Sequence, residues 1–198
     1  KLGAKINYGV SVSRIVQNSG RVEALETSQG LLAGEVFVLA TGTKTGQLLP
    51  SRFAGKMPIT GVKGISVTFA PGEVAPNRSV ADTAKKIIML GLGDRVRVTG
   101  YAIFSDKTDI KDEHVKLLID KARALMPEAA RYDQPQEIWT GLRPTTPNDL
   151  PMIAQAGYPN LYINAGHGSL GWTLSLGSAE VLLEKIMGAF QGVKALSS

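Results

Sequence analysis

A strand that runs into a glycine loop and leaves it as a helix constrains this chain more than any other segment. Leu161-Tyr162-Ile163-Asn164 reads as a strand, residues 165–173 read AGHGSLGWT, and a helix is expected over Trp172–Met187. Its apolar residues are Leu174, Val181, Leu182 and Ile186, with Lys185 near the C-terminal end. Gly166, Gly168 and Gly171 satisfy G-x-G-x-x-G literally. In dinucleotide folds such glycines allow a tight turn and bring a helix N-terminus to a pyrophosphate. That fingerprint also needs a second strand with an acidic residue about 20 residues further on. Here a helix to about residue 187 and a short tail are all that follow, so the pyrophosphate reading is disfavoured. What remains is a loop whose N–H groups and helix dipole favour negative charge. The plainer alternative is a tight strand–helix turn, which would not require His167 between two glycines. A nucleophile-elbow reading fails because G-x-S-x-G needs glycine where His167 stands, and neither histidine lies downstream of Ser169.

The rest of the chain reads as two kinds of sheet. Residues 9–28 form a hairpin pattern, with Val10, Val12, Ile15 and Val16 before the turn Asn18-Ser19-Gly20 and Val22, Ala24 and Leu25 after it. Val36–Ala40 is a continuous apolar run, expected to be a strand buried on both faces. It ends at Thr41-Gly42, where ligands approach an α/β sheet, and a short helix through Thr45–Leu49 follows. Residues 58–104 instead alternate, in Ile65–Phe69 and Val96–Tyr101, with a further strand at Lys86–Leu90. This predicts a separate antiparallel layer with one face covered. Residues 109–126 are helical, with Val115, Leu118, Ile119, Ala122 and Leu125 on one face and Pro127 as the stop. Asp109 is placed as N-cap and Asp112 in the first turn. Gln136–Thr140 reads as a short strand, Gly141–Pro151 as a loop, and Gln191–Ser198 as a frayed tail.

Composition excludes several chemistries. The 198 residues contain no cysteine and two histidines, which removes disulfides, thiolate sites and a histidine-rich metal centre. Net charge is +5, but the basic residues are scattered and form no nucleic-acid stripe. No apolar run approaches the ~18 residues of a membrane span. Glycine is over-represented at 22 of 198 residues, against a usual ~7%. Entry into strand-like sequence directly after Lys1 leads us to expect that something precedes it.

A second chemical feature is WTGLRPTTPNDLP, residues 139–151. Arg143 precedes Pro144, so its backbone is held extended. A fixed planar guanidinium suits a bidentate carboxylate contact, although pairing with Asp149 is the plainer outcome. Tyr101 faces either a pocket or the core. His114 is expected to be solvated, and Asp149 to shape the proline-rich turn.

Taken together, VLATG, WTGLRPTTPNDLP and NLYINAGHGSLGWTLSLGSAEVLLEKI resemble the C-terminal half of the FAD-dependent D-amino acid dehydrogenases, within the wider glycine, sarcosine and D-amino acid oxidase family. The resemblance runs over essentially the whole chain. It implies an α+β / α/β fold, with part of a Rossmann-like FAD domain and a substrate domain on a mixed antiparallel sheet. Residues 1–57 and 136–198 would belong to the FAD domain and 58–135 to the substrate domain. Val12 would lie near the adenine, Ala40, Thr41 and Gly42 would border the cofactor, and Gly166, His167, Gly168, Ser169, Leu170, Gly171, Trp172 and Thr173 would face the flavin. Arg143 would bind the substrate carboxylate, with Tyr101 and His167 as further substrate contacts. Ile88 stands where several relatives carry a pocket tyrosine. No side chain is expected to act as catalytic acid or base.

The implied reaction is oxidative deamination of a D-amino acid to a 2-oxo acid and ammonia, with electrons passed to a respiratory acceptor. A glycine- or sarcosine-type amine oxidase, or an inactive remnant acting as a binding module, are the alternatives. The implied location is the cytoplasm or the cytoplasmic face of the inner membrane, with peripheral membrane association only through the acceptor. The family's nucleotide fingerprint is not matched, so the chain is expected to be a fragment without tight FAD binding or turnover of its own.

Overall fold

The Asn18-Ser19-Gly20 turn closes a hairpin of β1 (Val12–Asn18) and β2 (Arg21–Thr27). Ser19 (φ 49°) and Gly20 (φ 77°) take the left-handed conformation that tight hairpins require. A third strand, β3 (Gly30–Ala33), pairs antiparallel with β2 and has no counterpart among the sequence expectations. The computed structural model describes residues 3–50, 53 and 57–195. The chain divides into two units, Lys1–Ile59 with Pro144–Ser198, and Thr60–Arg143.

The first unit holds the hairpin sheet and a second three-stranded sheet. In the latter, β4 (Phe37–Leu39) pairs parallel with β11 (Leu161–Ala165), which pairs antiparallel with β10 (Met152–Gln155). The run at 36–40 does not make a strand buried on both faces. Phe37 and Leu39 are buried, but Val38 points the other way and is exposed. Leu161, Ile163, Phe37, Leu39 and Val22 share one apolar core with Ala156 and Tyr158. The single turn α1 (Thr45–Leu48) follows a 3-10 turn at Gly42–Lys44.

Asn160 joins the two sheets. Its side chain accepts from Val22 N (3.0 Å) and donates to Val22 O (2.8 Å) and Glu35 O (3.0 Å). Its own carbonyl accepts from Phe37 N.

The second unit is a five-stranded sheet of order β6-β7-β8-β5-β9. The strands are β5 (Thr60–Pro71), β6 (Val80–Asp82), β7 (Ile87–Gly91), β8 (Val96–Phe104) and β9 (Ala130–Thr145). One face packs under α2 (Asp112–Leu125) through Ile65, Val67, Phe69, Val96, Val98, Val115, Leu118 and Ala122. Leu118 comes so close that a Cβ on Gly100 would lie 2.9 Å from its Cδ1, so a glycine is what admits the helix. The opposite face is polar. Arg97 donates to Thr68 Oγ1 (3.1 Å) and to Glu137 (2.9 Å).

Several local expectations are corrected. Asp109 is not the N-cap of α2. That position is Lys111, which makes no side-chain capping bond, while Asp109 accepts from the buried Lys63 at 3.1 Å. The strand placed at 136–140 is part of the sixteen-residue β9, so 141–145 are strand rather than loop. The expected boundary at 135/136 therefore falls inside β9, and 136–143 group with residues 60–135. The final helix, α3 (Ser175–Ala195), begins three residues later than Trp172 and continues through residues 191–195; the rest of the expected tail, 196–198, lies outside the described residues. Of its expected apolar face Leu182 is buried, whereas Val181 is exposed. No described helix is long and apolar enough to cross a membrane.

Candidate functional site

Parallel pairing of β4 with β11, in the register Leu39 opposite Ile163, delivers two glycine segments to one edge of the sheet. Ala40-Thr41-Gly42 and Gly166-His167-Gly168 both leave from the C-terminal ends of their strands, where open α/β sheets place ligands. A third segment joins them. Thr145 forms an isolated antiparallel bridge with His167, and Pro144 lies under Gly42. Gly42 (φ 57°), Gly166 (φ 83°) and Gly168 (φ 55°) are left-handed. At Gly166 a Cβ would also stand 2.7 Å from Thr146 Cγ2, so the site admits neither the conformation nor the bulk of another residue.

Gly166 is buried, while His167, Gly168 and Gly171 are half-buried. Nε2 of His167 is buried and has no hydrogen-bond partner, as is Oδ1 of Asn164 on β11. Such orphaned atoms call for a ligand or water. Ser169, Leu170, Trp172 and Thr173 are exposed, Trp172 almost completely. A 3-10 turn at Gly168–Leu170 and a further turn separate the loop from α3, so the helix N-terminus does not stand at the loop as the sequence reading had it. Thr41 is exposed and its hydroxyl lies 3.1 Å from that of Thr45. Val12, half-buried at the start of β1, pairs with Thr27.

Within the second unit Arg143 lines a pocket of about 160 Å³ together with Gly64, Ile65, Thr99, Trp139, Gly141 and Leu142. Its Nη1 donates to the carbonyl of Tyr101 at 3.0 Å. The guanidinium lies over Gly64, where a Cβ would sit 2.7 Å from Cζ. Tyr101 sends its side chain the other way. Its hydroxyl donates to His114 O at 3.0 Å, and its ring lies 5.0 Å from the imidazole. Burial, with the Glu113 charge second, raises the phenol above its ordinary range. His114 is thus not a solvated side chain: it is half-buried, and its Nδ1 is buried without a partner. Ile88 pairs with Thr99 across β7 and β8 and is partly exposed. Asp149 adopts φ 56° in the turn after β9 and donates its N–H to Thr146 O.

Thr99, Gly64 and Trp139 were not singled out by sequence reasoning. The signal for Gly64 was present, as a glycine interrupting an otherwise alternating strand. Thr99 had none beyond its strand parity.

Residues 1–185 match the family described as DAO, FAD dependent oxidoreductase. The chain belongs to this family. It is 37% identical over 189 residues to a protein named D-amino acid dehydrogenase from Agrobacterium fabrum, covering 94% of this chain and 45% of the relative. A protein of the same name from Dechloromonas aromatica is 35% identical, with coverage of 94% and 46%. The chain therefore spans under half the length of these curated relatives. Among solved structures it is similar to a glycine oxidase from Bacillus cereus (TM-score 0.76, 22% identity, 91% of this chain and 50% of that one). It is also similar to an L-proline dehydrogenase from P. horikoshii (TM-score 0.75, 18% identity, 93% and 51%). The fold expected from the sequence, part of an FAD oxidoreductase of mixed α and β structure, agrees with these likenesses.

Proposed function

We propose that this chain supplies the substrate-binding and flavin-facing parts of an FAD-dependent D-amino acid dehydrogenase. One observation carries the substrate side of the reading: the Arg143 guanidinium is held in a small pocket by the Tyr101 carbonyl and the missing Cβ of Gly64. A planar donor fork fixed in this way suits a carboxylate. The family match and the names of the relatives support FAD as cofactor.

The residues present fit that cofactor on one count tested in this chain. The loop at 166–168 is stripped of side-chain bulk at two glycines and aims a buried, unpartnered imidazole nitrogen at its surroundings. Gly166–Thr173 and Ala40–Gly42 would border the flavin, and Val12 the adenine. When bound, FAD accepts the two electrons and the hydrogens removed from the substrate's C–N bond. Arg143 holds the carboxylate, so that the α-carbon is presented in one orientation. Thr99, Leu142 and Trp139 wall the pocket. The start of the Gly168–Leu170 turn, ahead of the Leu170 N–H that is given to His167 O, would offer positive potential for developing negative charge. The imino acid released from substrate takes up water and gives a 2-oxo acid and ammonia. The electrons leave to a respiratory acceptor at the inner face of the cell membrane, met peripherally.

The test uses the longest polypeptide in which this chain occurs, loaded with FAD. Turnover of D-alanine should exceed that of glycine and sarcosine, and Arg143→Ala should raise the KM for D-alanine by roughly a hundredfold, the effect of losing a charge-assisted pair of about 3 kcal/mol. An unchanged KM would remove the carboxylate role.

A further inference from the structure

Tyr101 sits in β8 with φ 70°, in the left-handed region that residues bearing a Cβ avoid. It does so inside a β-bulge. Between β5 and β8 the register runs Lys63 with Ile103 and then Ile65 with Gly100. The single residue Gly64 therefore faces both Tyr101 and Ala102. A bulge re-aims the residues within it, and a left-handed residue in a strand persists only where its surroundings hold it.

Two anchors hold it here. The Tyr101 hydroxyl donates to His114 O in the first turn of α2, and the ring packs on the imidazole and on the core under the helix. The consequence appears on the other face of the sheet. The carbonyl of this same residue accepts from Arg143 Nη1, and the residue opposite the bulge is Gly64, whose missing Cβ leaves the space the guanidinium fills. Bulge, left-handed backbone and glycine converge on one side chain.

We infer that Tyr101 is a positioning residue for Arg143, a strut from α2 that fixes the strained carbonyl orienting the guanidinium, rather than a substrate contact. The inference rests on the reading of Arg143 as a carboxylate binder only for its consequence in binding; the positioning itself is a property of this chain.

The experiment follows the Arg143 side chain by nitrogen NMR in the purified chain, with propionate as a carboxylate probe. Tyr101→Phe removes the strut's hydrogen bond. Tyr101→Asn removes the side chain but accepts the left-handed backbone, and keeps the test open should the first variant fold poorly. Tyr132→Phe is the control: Tyr132 also donates to carbonyls of the helical segment, at Ala122 and Met126, but makes no contact with Arg143 among the described interactions. Rotation of the Arg143 guanidinium should quicken about fivefold in both Tyr101 variants, and propionate should bind about fivefold more weakly, as expected for one net hydrogen bond. Tyr132→Phe should change neither. Rotation within twofold of the parent in both Tyr101 variants, or an equal change in Tyr132→Phe, overturns the inference. Failure of propionate to bind the parent, or unchanged binding in Arg143→Ala, overturns the carboxylate reading and leaves the rotation result to decide the strut.

Discussion

Replacing Asn160 with leucine should cost this protein about as much stability as truncating a fully buried leucine in the same core. Asn160 is 2% exposed and Val22, its main partner, is 1% exposed. Leucine keeps the heavy-atom branching, though with bulkier methyl groups, and removes three side-chain hydrogen bonds, from Val22 N and to Val22 O and Glu35 O. Water can reach Glu35, which is exposed and already receives a bond from Arg21. The two Val22 groups cannot be reached in this way. Each buried group left without a partner costs about 1–3 kcal/mol, so the sum is about 2–6 kcal/mol, partly offset by the apolar side chain introduced. We take about 3 kcal/mol. With a urea slope of about 2 kcal/mol per molar, the midpoint should fall by about 1.5 M. Hydrogen exchange adds a local readout, since protection of the Val22 amide should fall first. Arg21→Ala serves as the comparison, because its bond to the same Glu35 carbonyl is exposed and should be worth under about 0.5 kcal/mol. If the two variants lose equal stability, Asn160 is not the tie between the two sheets and the hydrogen-bond accounting is wrong.

Further outcomes follow from the same geometry. Gly64→Ala should displace the Arg143 guanidinium and raise the KM for a D-amino acid about tenfold, about 1.4 kcal/mol of binding, with little loss of thermal stability because the group met is the end of a flexible side chain; an unaltered KM would contradict the close approach. The Asp109 carboxyl is held below its ordinary value first by the hydrogen bond from Lys63 and then by that residue's charge. Its contribution is thus present above the ordinary carboxylate pKa and is lost as pH falls through the lowered one. Asp109→Asn should flatten the acid limb of a stability–pH curve, and an unchanged limb would refute the coupling. The Tyr101 phenol is shifted up by burial, so its contribution is complete below pH about 10 and is lost as pH rises through the higher value; Tyr101→Phe should shallow the alkaline limb. Passed through gel filtration with excess FAD, the 198-residue chain should emerge without flavin absorbance; a yellow protein would overturn that expectation.

Of the three sheets, the hairpin sheet and the five-stranded sheet were legible because their patterns differ. Alternation in Val96–Tyr101 and the turn at Asn18–Gly20 each dictate local geometry with no reference to distant residues. The short strand β3 was missed since Leu31 and Leu32 are both exposed and carry no burial pattern. The length of β9 was hidden by its own chemistry. Gly141 and Pro144 read as loop, yet proline is tolerated at an edge strand, and β9 is the edge of its sheet. Asp109 was misassigned for another reason: a cap and an ion-pair partner look alike in sequence, and what decided between them was Lys63, 46 residues away.

The site was legible by motif and not by arrangement. AGHGSLGWT and VLATG could each be marked as chemical, but their separation in sequence says nothing of which edge they share. That depends on the parallel pairing of β4 and β11, set by a core in which Phe37, Leu39, Leu161 and Ile163 pack together. The register of one hydrophobic pair thereby fixes where two glycine loops emerge. The same logic applies to Tyr101. Period-two alternation assigns it to the face opposite Gly100, the face that carries Thr99 and the arginine pocket. One extra residue in β8, opposite Gly64, reverses that assignment and turns the phenol under α2. A single bulge thus takes the phenol off the face that alternation gives it and leaves its own carbonyl to receive the Arg143 guanidinium.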